Sequence, residues 1–251
     1  MISKIRILSF IIPICILLVI SFCSFRDSFY YKLKYIDLKN VINPDSIKVE
    51  NNKKIEVPEI LGFYDTNFYR VRIHIMSFEK EKNIGYKYTL SCKIMINGEV
   101  CTYNGYYLLI EAKLYDSSIF NFKQGYLVGK IYMKSETKNK RCCGEIEGNL
   151  ETYIYIDSLN NINYDALLYF ADGYYNNQFK GKIKFDREKK YKKFNWGHFR
   201  IPESKGLDIG SSEFIPDEKY LNNGWKEYYD CYVLEDTSAC LIEKSRWWDE
   251  K

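Results

Sequence analysis

The 251-residue chain carries 37 Lys and Arg against 33 Asp and Glu, a net charge of +4, with 46% hydrophobic and 28% charged residues. These globular proportions argue against general disorder, and the near balance of charge argues against a nucleic-acid binder. His74 and His198 are the two histidines, which excludes a His-rich metal site. The sequence holds no Walker loop, G-x-G-x-x-G, H-E-x-x-H or G-x-S-x-G pattern. No metal, cofactor or catalytic residue is assigned.

Lys4 and Arg6 precede an uncharged run from Ile7 to Phe25, 19 residues long. At about 1.5 Å per helical residue it just spans a hydrocarbon core of roughly 30 Å. Cations ahead of such a run form the export pattern and hold the N-terminus on the cytoplasmic side. Three fates are open for 1–25: cleavage after Ser21 or Cys23, retention as an anchor, or lipidation at Cys23. The stretch Ile20-Ser21-Phe22-Cys23 looks like a lipoprotein box, from which the large Phe22 departs. Each fate puts residues 26–251 outside the cytoplasm, at the membrane or free of it.

Residues 26–53 read as a stalk or lead-in. Ser28 to Ile42 fits a short amphipathic helix with Phe29, Leu33 and Ile36 on one face, stopping before Pro44.

From residue 54 the period becomes two. Val71, Ile73 and Ile75 alternate with Arg70, Arg72 and His74. Leu90, Cys92, Ile94 and Ile96 alternate with Thr89, Ser91 and Lys93, and the hairpin signal Asn97-Gly98 follows. Alternation continues through 106–114, 127–133, 145–156, 162–170 and 179–185. Ile146, Ile154 and Ile156 are expected to point inward with Val71, Ile73, Ile75, Leu90 and Ile94. Successive short alternating strands with tight turns predict a mainly β, antiparallel meander, curled into a barrel or split into a sandwich. Gly129-Lys130-Ile131 and Gly181-Lys182-Ile183 repeat a pattern that Gly144-Glu145-Ile146 loosely copies, and these glycines read as curvature points.

From about 191 the texture turns irregular. Pro216-Asp217-Glu218 and Asn223-Gly224 bracket one short helix. Two strands around Glu235-Asp236 then put Cys231 opposite Cys240. In the other C-x8-C pair, Asn97-Gly98 sets Cys92 opposite Tyr103, so a bond to Cys101 needs a bulge or a shifted register. With Cys142 and Cys143 these make six cysteines in the exported part, an even count that suits disulfides.

Eight cations lie between Lys180 and Lys193, and residues 208–251 hold eleven acids against five cations. The two segments can face each other, or the basic one can meet an anionic surface.

The stretch 196–230 escapes the alternation and is dense in Trp, Gly and Asp. It is the candidate binding surface, with Trp196, Phe199 and Trp225 as anchors and His198, Arg200, Asp208 and Glu213 fixing orientation. The competing account makes these aromatics a cap over the open end of the β domain. The expected function is non-enzymatic binding in the cell envelope, with an envelope protein or ligand as partner and the membrane met through 7–25. Rival functions are a carbohydrate-active hydrolase using carboxylates such as Asp208 and Glu213, a structural envelope lipoprotein, and a toxin-neutralising protein.

Overall fold

The computed structural model describes residues 28–49, 53–138 and 140–249. The export run and the lipidation candidate Cys23 lie outside the described residues.

Three short turns open the described chain: α1 (Ser28–Lys32), a 3-10 turn (Leu33–Tyr35) and α2 (Lys39–Ile42). A two-strand hairpin follows, β1 (Ser46–Lys48) with β2 (Lys54–Glu56). The main sheet is β3 (Ile60–Tyr64), β4 (Tyr69–Lys80), β5 (Lys87–Ile96), β6 (Glu99–Ile119), β7 (Phe122–Ser135), β8 (Gly144–Ile156), β9 (Ile162–Tyr164), β10 (Asn176–Phe185) and β11 (Lys192–His198). Every pairing within it is antiparallel.

The sheet closes on itself. β11 pairs with β3, and β10 pairs with both β11 and β8. Closure leaves no open edge among these eight strands, which removes the template for edge-to-edge association. β9 shares the β8 edge with β10: Tyr164 lies opposite Ile154, whereas Gln178 lies opposite Glu151. At the junction the Asn176 amide stands in for a strand partner. Its Oδ1 accepts from Tyr153 N at 2.8 Å and its Nδ2 donates to Tyr153 O at 3.0 Å. The alternating run 162–170 therefore yields only a three-residue strand, and turns occupy most of 165–173.

The interior is filled. Val71, Ile73, Leu90, Ile94, Ile146 and Ile154 are buried in one cluster, with Ile75 and Ile156 packed against it. Phe78 stacks on Tyr88 at 4.7 Å, and Tyr107 meets both rings edge-on. Gly129 is where Tyr107 lies on the wall: a Cβ there would sit 1.8 Å from the ring. Gly148 and Gly181 seat Phe179 in the same way. These glycines make room for aromatic rings, and a register shift in the β6–β7 pairing falls beside Gly129.

The stretch read as a stalk belongs to the fold. Phe29, Leu33, Leu38, Val41 and Ile42 join the core cluster, with Ile36 against it. The Leu38 amide donates to Tyr88 Oη at 3.0 Å, and Asn177 Nδ2 donates to Ile42 O at 2.9 Å. This plug closes the end that carries the β4–β5 loop. At the opposite end the β7–β8 loop folds inward, bringing the buried Cys142 and Cys143.

The disulfides correct the sequence reading in two ways. Cys101 bonds Cys142 with a Cα–Cα distance of 6.0 Å, and Cys92 is a free buried thiol. No bulge interrupts the β5–β6 register, so Cys92 stays opposite Tyr103 and Ile94 opposite Cys101. The inturned loop then supplies the closer sulfur. Cys231 does bond Cys240, but from two helices, α3 (Lys226–Tyr232) and α4 (Thr237–Glu243). Glu235 turns the chain at φ 56°, and Asp236 caps α4 by accepting from Ala239 N at 2.8 Å. The C-x8-C spacing suits a helical hairpin as well as a β one. The expected helix near 216–223 is a 3-10 turn (Glu218–Asn223), opened by Asp217 and ended by Gly224 at φ 93°.

Candidate functional site

Residues 201–249 cover the outer wall over β3, β4 and β11. Leu61 and Phe63 point outward into a second cluster with Ile201, Leu207, Phe214 and Trp225. Both faces of β3 and most of β11 are therefore buried, with no alternation to read. This is why β3 shows no period of two and why the alternation is lost from about 191 onward.

The proposed surface residues occupy several environments. Trp196 faces the interior, stacked on Phe179 at 5.3 Å. His198 is buried at the end of β11 with Nδ1 3.1 Å from Tyr164 Oη, and burial pushes its imidazole down to about 3. Phe199 packs edge-on against Tyr174 at 4.9 Å. Trp225 is fully buried and donates through Nε1 to Phe68 O at 2.7 Å. Arg200 and Asp208 are brought together as an ion pair, and Arg200 also donates to Gly210 O at 2.9 Å and Ser211 O at 2.8 Å. Asp208 Oδ1 accepts from Gly210 N and Ile215 N, which makes this carboxylate the knot of its loop. Glu213 alone of the seven is exposed. Of the three aromatics, Trp225 belongs to the cluster that holds the cover to the barrel wall, whereas Trp196 belongs to the barrel interior.

Three lysines of the basic run pair with acids outside the acidic C-terminal segment 208–251. Lys182 pairs with Glu147, Lys192 with Asp65 and Glu188, and Lys193 with Glu203.

A different constellation forms beside this cover. β4 alternates, so Arg70, Arg72 and His74 leave the barrel on its outer side. Arg70 Nη1 donates to Glu243 Oε2 at 2.9 Å while Nη2 reaches the other oxygen, a two-pronged bond. Arg72 Nε donates to Glu59 Oε1 at 2.8 Å, and its Nη2 donates to the Glu243 backbone carbonyl. Arg70 also lies over Trp225 and Tyr228, 5.3 Å from each ring, and Arg72 over Trp247 at 5.5 Å. His74 stacks on Trp248 with centroids 4.0 Å apart.

Two carboxyls thus share two guanidinium groups, unequally. Burial raises the Glu243 carboxyl, but the two-pronged bond and charge of Arg70 outweigh it and hold the group below its ordinary range. Glu59, one quarter exposed, has the poorer bond. Burial and the nearby Glu243 charge push it up to about 7, with Arg70 and Arg72 opposing. Glu59 is therefore the carboxyl of the two whose proton affinity is raised.

These groups line a groove of about 730 Å³ between β4, the 56–60 segment and the C-terminal 243–248 stretch. Glu59, Arg72, His74, Trp247 and Trp248 give it acid, base and ring surfaces together. Trp247 Nε1 is buried without an acceptor among the described residues. The alternation of Arg70, Arg72 and His74 was visible in the sequence. The joining of Arg70 and Arg72 to Glu59, 11 and 13 residues upstream, and to Glu243 was not, because it depends on β3 pairing with β4 and on α4 docking over them.

Cys101, Cys142 and Cys143 place three sulfurs within 4.8 Å of one another, but two are spent in the disulfide. No helix among the described residues is long and apolar enough to cross a membrane. No family model matches the chain, and neither curated proteins nor solved structures give a match.

Proposed function

We propose that this chain is a non-enzymatic binding module of the cell envelope, held at the membrane through 7–25, and that it meets its partner in the groove over β4. The observation that carries this reading is the contrast between lumen and wall. The barrel interior is packed with side chains, while the groove of about 730 Å³ lies outside it, lined by ring faces and a carboxyl of raised proton affinity. Two disulfides fit an oxidising, extracytoplasmic compartment. Of the residues expected of a hydrolase, Asp208 is held by Arg200, which favours binding over hydrolysis at that loop.

The test uses a photo-crosslinking residue in place of the exposed Ser245 on the groove rim, in the full chain within its own envelope. A discrete adduct is expected, reduced several-fold by Trp248→Ala at unchanged melting temperature. Absence of an adduct, or one indifferent to Trp248, would sink the reading.

A further inference from the structure

Strand directions give the barrel two distinct ends. β4 and β5 meet at the plugged end, whereas β10 and β11 meet at the other. Tyr35 is 84% exposed, Tyr31 52% and Ile84 48%, all at the plugged end. They belong to one patch. Lys34 lies against Gly85, where an added Cβ would be 2.6 Å from the Lys34 carbonyl oxygen, and Tyr30 stacks on Tyr86 at 4.7 Å. Lys32, Lys34 and Lys82 are exposed in the same two segments. The neighbouring acids Glu79 and Glu81 are paired with Lys39 and Lys87, leaving Asp37 as the exposed acid on the helical side among the described residues.

The geometry points to a lipid surface as the occupant of this patch, an inference that rests on the export reading of 7–25. Tyrosine and lysine suit the headgroup layer, because each pairs an apolar body with a polar tip. Connection supplies the second argument. Tyr31 follows Phe25, the last residue of the apolar run, by six positions. Even fully extended, six residues span at most about 20 Å. The plug is fixed to the barrel by Tyr30 Oη donating to Leu109 O at 3.1 Å and by Lys80 Nζ reaching Leu33 O and Ile36 O. The patch thus stays within that reach of wherever the run meets a bilayer. Lys32, Lys34 and Lys82 then face lipid phosphates, and the other end, with Tyr191, points away.

The full chain is reconstituted into vesicles of phosphatidylcholine with phosphatidylglycerol, carrying a photo-crosslinking residue at Tyr35, Ile84 or Tyr191 in turn. Flotation reports whether the chain is membrane-held at all, and a chain that does not float ends both the export reading and this one. With flotation intact, lipid adducts are expected at 35 and 84 and at least fivefold fewer at 191. Changing Lys32, Lys34 and Lys82 to Glu together should lower adduct yield several-fold on anionic vesicles and little on phosphatidylcholine alone. Flotation without lipid adducts at 35 and 84, or adducts there to residues 7–25 or to a second copy, would overturn the proposal while leaving membrane attachment standing.

Discussion

Glu59 and His198 show how burial sets proton affinity one residue at a time. Glu59, pushed up to about 7 from an ordinary 4.5, keeps a proton in the folded chain that the unfolded chain has released. Its contribution to stability therefore falls as pH rises from about 4.5 to 7. His198, pushed down to about 3 from 6.5, has the opposite slope, and its contribution falls as pH drops through that range. Glu243, held low, contributes above the unfolded carboxyl value and loses that contribution on acidification. The melting temperature of Glu59→Gln relative to wild type isolates the first effect. The difference is expected to move in the variant's favour as pH rises from 4.5 to 7. A difference flat across that window would show that Glu59 titrates as an ordinary carboxyl. Single residues such as these were legible only as types. The burial that moves their affinities belongs to the cover and the plug.

At the scale of elements, the alternating strands were plain because one face is dry and the other wet, as in β5 and β7. Where a second layer lies outside, in β3 and β11, the period vanishes from the sequence. The C-terminal helices failed for another reason: Cys231 and Cys240 nine positions apart fit two kinds of hairpin, and local signals did not choose between them. Trp225 decides what the cover is for. It is enclosed by Phe214, Tyr228, Arg70 and the Phe68 carbonyl, so Trp225→Ala is expected to cost about 3–5 kcal/mol, as large buried rings do. For a chain of this size that lowers the melting temperature by roughly 6–20 °C. A melting temperature within a degree or two of wild type, measured by calorimetry, would return Trp225 to the role of an exposed anchor.

At the scale of the whole molecule, the barrel is completed by residues that lie before its first strand. Leu33 is fully buried in the plug. If 28–42 were a stalk, Leu33→Ala would leave stability unchanged. As part of the core it is expected to cost about 2–5 kcal/mol, read from the shift in a urea unfolding midpoint with an unchanged slope. A midpoint equal to wild type would separate the plug from the fold.

Composition, alternation and Asn97-Gly98 by themselves determined a mainly β chain with an antiparallel meander, because period and turn chemistry are local properties. An even cysteine count was legible for the same reason, and so was the bonding of Cys231 to Cys240, though not the elements that carry it. The tertiary structure alone decided that Cys101 takes Cys142, that β10 reaches both β8 and β11, and that Trp196, His198 and Trp225 are packed inside or under a cover. It also joined Glu59, Arg70, Arg72 and Glu243. Each of these contacts depends on which surfaces meet after the sheet has closed. A sequence records such meetings only through the two-sided burial that erases its own pattern.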